Sequence, residues 1–174
     1  WGKENFTAPG ALDPAAVKSL RFYADDGYAA INDALRGLDP GVPDDVVFEA
    51  IDDLDDVMSK NKLKESVLVS RAVGVDAFRG NPADYVGSVF TDKGYLSTSL
   101  GEEPLGEISS TMDDPIVVMK ITVPKNTSAY WMQPISHFKE ERELLLARNS
   151  KLAITNAVYD KVGKKWHVTA EVLP

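Results

Sequence analysis

Residues 65–74, Glu65-Ser66-Val67-Leu68-Val69-Ser70-Arg71-Ala72-Val73-Gly74 (ESVLVSRAVG), mark the point where the chain changes character. Up to Lys64 the apolar residues recur at helical spacing. Ala15, Ala16, Leu20 and Tyr23 form one stripe, with Asp13 placed as N-cap and Pro14 at the first turn. Tyr28, Ile31, Leu35 and Leu38 form a second, closed by Gly37 to Pro40. Val47, Ile51, Leu54 and Met58 form a third, with Asp44 or Asp45 near its start to suit the helix dipole. From Val67 onward the pattern is short apolar runs between turn residues. Strands are predicted at Val67 to Arg71, Gly94 to Leu100, Ile116 to Val123, Thr127 to Met132 and Leu144 to Ala147. Two more fall at Leu152 to Val158 and Lys165 to Val172, hinged at Asp160 to Lys164, while Tyr85 to Phe90 is ambiguous. Helices first and strands later predict an α+β domain with a largely antiparallel sheet.

The 174 residues suit one ordinary domain or at most two small ones. No repeat, low-complexity tract or linker divides them, so residues 1–174 read as one domain after an irregular lead-in at 1–13. There is no cysteine, which excludes a disulfide scaffold, a cysteine zinc site and a cysteine nucleophile. Nineteen basic and 27 acidic residues give a net charge of −8, which argues against general nucleic-acid binding. The acid is concentrated: Asp39 to Asp56 holds eight acidic residues and no basic one, a solvated helix face or a surface for a basic partner. No stretch approaches the ~18 apolar residues of a membrane helix, and no signal peptide opens the chain. Trp1 in place of an initiator methionine implies processing or excision from a longer protein.

His137 and His167 lie thirty residues apart without helical partners, so no metal site is expected. No P-loop, G-x-G-x-x-G or G-x-S-x-G occurs. Three pieces carry chemistry. Arg71 ends an apolar strand, where a guanidinium can grip a phosphate or simply meet solvent. In Ser97-Thr98-Ser99, the two serines share one strand face and Thr98 takes the other, either holding a ligand or lining an edge strand. In Glu141-Arg142-Glu143, a strand starting at the first Glu would put both carboxylates on one face about 6–7 Å apart. Like charges that close raise at least one pKa. A solvated charged loop is the alternative.

An arginine, then Ser-Thr-Ser, then Glu-x-Glu, each on its own strand, resembles the arginine/serine/glutamate class of mono-ADP-ribosyltransferase toxins. The likeness is closest to the enzymatic components of clostridial binary actin-modifying toxins and to related bacterial and phage-associated exoenzymes. It extends from about Leu20 to Thr155. Tyr23, Tyr28 and Asn32 match the family's N-terminal helical motif, Tyr95 to Ser99 its aromatic-x-Ser-Thr-Ser strand, and Phe138 the aromatic three residues before the first Glu.

That resemblance implies N-terminal helices packed on two mainly antiparallel sheets that form a split NAD-binding cleft. It implies cleavage of NAD between nicotinamide and ribose and transfer of ADP-ribose to a protein side chain, without a metal. Glu143 would stabilise the positive charge that develops on the ribose. Ser97 would hold Glu143, and Arg71 would bind a phosphate. Tyr23, Tyr28 and Asn32 would line the adenosine and phosphate side, with Tyr95, Thr98 and Ser99 completing the NAD site. Glu141 at the first Glu position goes with arginine as acceptor, and Phe138 would help choose the target protein. Actin is the commonest target in the resembled family. A secreted or delivered toxin or effector is implied, with a delivery or immunity partner. Ala72 stands where the nearest toxins often carry a second arginine, and residues 100–119 contain no aromatic or arginine, leaving Ile108 or Met112 to cover nicotinamide. The alternatives are an NAD glycohydrolase on the same fold and a catalytically silent binding module of a phage or secreted particle.

Overall fold

The computed structural model describes residues 1–101 and 116–174. The lead-in is not wholly irregular: it holds a short helix, α1 (Gly2–Asn5), and a 3-10 turn at Pro9–Ala11. Trp1 there packs edge-on against Phe6 and Trp131, which ties the start of the chain to the sheet.

Helix α2 (Pro14–Phe22) begins as the sequence predicts, with Asp13 Oδ1 accepting from the Ala15 amide at 2.9 Å and proline in the first turn. It does not end before the next stripe. A single π turn, Tyr23–Gly27, carries it into α3 (Tyr28–Arg36), so the two predicted helices form one continuous, bulged element. Gly37 closes α3 at φ 78°, the left-handed conformation that favours glycine. Helix α4 (Asp44–Lys60) buries Val47, Ile51, Leu54, Val57 and Met58, with Asp44 and Asp45 in its first turn. Ser19 donates to Asp53 Oδ2 at 2.6 Å, clamping α2 to α4. None of the described helices is long and apolar enough to cross a membrane.

Among the described residues eight strands follow: β1 (Val67–Gly74), β2 (Val89–Thr91), β3 (Leu96–Leu100), β4 (Ile116–Val123), β5 (Ala129–Trp131), β6 (Glu143–Leu146), β7 (Lys151–Asp160) and β8 (Lys165–Val172). The ambiguous stretch at 85–90 resolves into a 3-10 turn at Pro82–Tyr85 and the start of β2.

Two sheets were expected, but the strands form one mixed sheet in the order β2-β7-β8-β4-β1-β3-β6-β5. Its pairings are antiparallel except β4 with β8, which run parallel. The expected division survives as a narrow seam. β1 pairs with β4 along its whole length, from Val67↔Val123 to Gly74↔Ile116, but with β3 only at Val69↔Leu100 and Ser70↔Ser99. A complete break would leave a row of unpaired backbone groups on each half, and the two-residue seam avoids part of that cost. One hydrophobic core joins Leu20, Ile31, Val47 and Leu54 of the helices to Val69, Ile121, Leu144 and Ile154 of the sheet.

Candidate active site

The site is built where β1 and β3 diverge. Glu143 opens β6 and is buried, with 8% of its surface exposed. It lies opposite Ser99 in the ladder, with Ser97 diagonal to it on the same face. The Ser97 hydroxyl donates to Glu143 Oε1 at 2.6 Å. Burial holds the Glu143 carboxyl above its ordinary pKa, Ser97 pulls it down, Glu141 pushes it up and Arg71 pulls it down.

Arg71 reaches across the seam from β1. Its Nη1 donates to the Ser97 carbonyl at 2.6 Å, and its remaining N–H groups have no partner among the described residues. Burial lowers its pKa. A desolvated guanidinium with spare donors beside a buried carboxylate suits a ligand that offers phosphate on one side and a hydroxyl on the other.

The helices supply the next wall. Asn32 Nδ2 donates to the Tyr23 hydroxyl at 3.2 Å, and Asn32 Oδ1 accepts from the Tyr95 amide at 2.9 Å. Tyr23 is buried against Tyr95 edge-to-face, and burial, then Glu143, raises its hydroxyl pKa while Asn32 and Arg71 lower it. Gly94 makes this close approach possible: a Cβ there would sit 2.6 Å from Asn32 Oδ1. Arg36 of α3 holds the same turn by pairing with Asp92 at 3.1 Å.

Glu141 corrects an expectation. It lies in a 3-10 turn, Lys139–Glu141, and not on the strand. Arg142 follows at φ 46°, so the pleat begins only at Glu143 and the two carboxylates are not strand neighbours on one face. Burial and Glu140 nonetheless raise the Glu141 pKa. Phe138 is exposed at the rim of this turn, its carbonyl accepting from the Glu141 amide. His137 Nε2 lies 3.5 Å from Asp25 Oδ1 in the π turn, joining the two segments.

Other sequence candidates are placed apart. Thr98 faces away and donates to the Leu144 carbonyl at 2.6 Å. The Tyr95 hydroxyl points beneath the site to Asp55 at 2.7 Å and to the Ile51 carbonyl. Tyr28 is exposed, at the surface of α3. Ile108 and Met112 lie outside the described residues. Sequence pattern does not mark Asp55, which accepts from the Tyr95 hydroxyl and pairs with Arg148 at 2.7 Å, nor Gly94 and Asp92 at the turn. Helical spacing does not single out Asp55, because Asp53, three residues after buried Ala50, fits the inner side of α4 as well as Asp55, four after Ile51. Among the described residues, no three His, Asp or Glu side chains converge as a metal site.

Comparison with known proteins matches this geometry. The family model described as ADP-ribosyltransferase exoenzyme covers residues 1–174. NAD(+)--arginine ADP-ribosyltransferase EFV of Enterococcus faecalis is 32% identical over 149 residues, 82% of this chain, and this chain spans 29% of that protein. Plx2a, an ADP-ribosyltransferase toxin from Paenibacillus larvae, superposes with a TM-score of 0.81 at 26% identity, covering 100% of this chain and 94% of that one. BECa, an ADP-ribosylating toxin of a Clostridium perfringens binary enterotoxin solved with NADH, shares the fold at 20% identity and TM-score 0.80, over 99% of this chain and 47% of its own. With the buried Glu143, the Ser97 donor and the Arg71 guanidinium gathered at one seam, this chain belongs to the ADP-ribosyltransferase exoenzyme family, whose members are mono-ADP-ribosyltransferases that use NAD as substrate.

Proposed function

We propose that this chain transfers ADP-ribose from NAD to an arginine side chain of a target protein, with residues 1–174 acting as one catalytic unit of a secreted or delivered toxin. The observation that carries the reading is the Ser97–Glu143 hydrogen bond at 2.6 Å beside the Arg71 guanidinium. NAD supplies an ADP-ribosyl group on a cationic nicotinamide leaving group. Glu143 faces the positive charge that grows on the ribose as that bond opens. At about 4 Å and an effective dielectric near 20, the attraction is roughly 4 kcal/mol, about a thousandfold in rate. Ser97 keeps the carboxylate oriented, and Arg71 directs its spare N–H groups to a phosphate. Tyr23 and Asn32 brace the wall toward the adenosine side, and Ser99 completes the Glu143 face.

Glu141 is the group that selects arginine. A protonated guanidinium is a poor nucleophile. A carboxylate at the site rim can orient it and take its proton as the new bond forms, and the raised Glu141 pKa brings that proton acceptor closer to neutrality. The Enterococcus relative's printed activity, toward arginine, supports the same acceptor. Phe138, exposed on the same turn, offers apolar contact to the target protein. The reading is tested by nicotinamide release from NAD with and without agmatine. Release that rises with agmatine and yields ADP-ribosyl-agmatine upholds it. Release indifferent to agmatine identifies a glycohydrolase, and none from folded, NAD-binding protein identifies a silent binding module.

A further inference from the structure

A cavity of ≈ 340 Å³ lies at the far end of β6 from Glu143, among the turn after β4, the turn after β6 and the start of β7. Lys62, Lys125, Arg148 and Lys151 line it, together with the Ser128 and Ser150 hydroxyls and Pro174, the last residue of the sequence, and no aspartate or glutamate side chain does. In a chain of net charge −8 that local excess is the reverse of the whole. The lysines come from three separate segments that the backbone fixes together. Leu63 N–H donates to the Thr127 carbonyl, Ala147 N–H to the Ser128 carbonyl, and Leu173 N–H to the Lys151 carbonyl. Asn126 and Asn149 hold the two turns in the left-handed region.

The lysines are not consumed by internal pairing. Lys62 donates to the neutral Ser128 hydroxyl at 3.2 Å, and the ammonium groups of Lys125 and Lys151 have no partner among the described residues. Arg148 is already paired with Asp55. A second pocket shares Lys62 and adds Lys60 and Lys64, but Lys60 is paired with Asp56 at 2.6 Å and Lys64 donates to the Glu4 carbonyl, so the unpaired charge stays with the first cavity. Gathering like charges around a concave surface raises the local potential and concentrates anions there. The volume is at the small end of ligand pockets, which suits a compact anion.

The geometry points to an anion-binding site, separate from the NAD site, in which Lys62, Lys125 and Lys151 hold a multiply charged phosphate group. The Ser128 and Ser150 hydroxyls add hydrogen-bond capacity to the same cavity. Such a group exists both as a soluble phosphate and as a phospholipid headgroup.

The test uses inorganic tripolyphosphate, titrated into the protein and, in parallel, into Arg71→Gln, which lacks the guanidinium proposed to bind the NAD phosphates. In parallel, co-sedimentation is measured with phosphatidylcholine vesicles with and without phosphatidic acid. The variant carries Lys62→Gln, Lys125→Gln and Lys151→Gln. A control of equal charge carries Lys3→Gln, Lys161→Gln and Lys164→Gln. Saturable binding that weakens about tenfold or more in the first variant, and by less than about twofold in the control, is expected. Binding of tripolyphosphate alone assigns a soluble ligand, and lysine-dependent binding of the phosphatidic acid vesicles assigns a headgroup. No saturable binding of either probe, or equal weakening in both variants, overturns the proposal.

Discussion

The Ser97 hydroxyl donates to Glu143 Oε1 at 2.6 Å, from a strand whose own backbone is gripped by Arg71 at the Ser97 carbonyl. One serine therefore ties the buried carboxylate to the half-buried guanidinium without letting the two neutralise each other directly. The carboxylate keeps one oxygen for a ligand, and the guanidinium keeps most of its donors.

Replacing Ser97 by alanine removes the hydrogen bond that lowers the Glu143 pKa, while burial and Glu141 continue to raise it. In the proposed role of Glu143 the ionised carboxylate is the working form, so activity is expected to fall as pH falls through that pKa. The acid limb of the pH–rate profile is expected to move to higher pH in Ser97→Ala, with kcat/KM down about ten- to a hundredfold at neutral pH. A profile that keeps its acid limb in place would separate Ser97 from the titration of Glu143.

The same shift has a consequence for stability. Glu143 has a raised pKa when folded, so the folded state binds its proton more tightly than the unfolded chain does. Its contribution is therefore most favourable below the unfolded pKa and is lost as pH rises through the folded pKa. Glu143→Gln, which removes the buried charge, is expected to melt at a higher temperature than wild type near neutral pH, with the gap closing toward acid. Thermal unfolding across that range measures it, and a lower melting temperature at neutral pH would contradict the assignment of burial as the dominant cause.

Gly94→Ala tests the wall between α3 and β3. The added methyl would meet Asn32 Oδ1 at 2.6 Å, so Asn32 must move and loosen its bonds to Tyr23 and the Tyr95 amide. Overpacking of this kind costs about 1–3 kcal/mol. The KM for NAD is expected to rise about tenfold with a smaller change in kcat. Equal KM values in the two proteins would show that Asn32 takes no part in NAD binding.

Glu141→Gln separates acceptor chemistry from cleavage. Glu141 stands outside the strand and takes no part in the Ser97–Glu143 hydrogen bond, and losing its charge lowers the Glu143 pKa, so the carboxylate proposed to face the ribose stays in place and ionised. Transfer to agmatine is expected to fall by about a hundredfold or more while NAD hydrolysis stays within a few-fold of wild type. Equal loss of both would give Glu141 a role in cleavage itself.

Much of the fold was legible in local chemistry. Asp13 caps α2, Gly37 ends α3, and the apolar stripe of α4 is buried as its spacing requires. The residues at the seam could be named because a resemblance joined Arg71, Ser97 and Glu143, which are far apart in the chain. What was not legible depends on backbone geometry. Nothing in the letters Glu-Arg-Glu shows that Arg142 turns left-handed and takes Glu141 off the strand. The seam between β1 and β3 is a matter of register, which sequence pattern fixes for faces but not for the length over which two strands stay paired. Asp53 and Asp55 were hidden in a run read as a solvated face, because an acidic run does not show which members turn inward toward Ser19 and Tyr95.

The central claim is that Glu143 carries the charge stabilisation that opens the bond between nicotinamide and ribose. Its most direct test is nicotinamide release from NAD by Glu143→Gln, in a folded sample shown to bind NAD as tightly as wild type. Loss of both transfer and hydrolysis by about a thousandfold is the expected result. Hydrolysis at the wild-type rate would contradict the account.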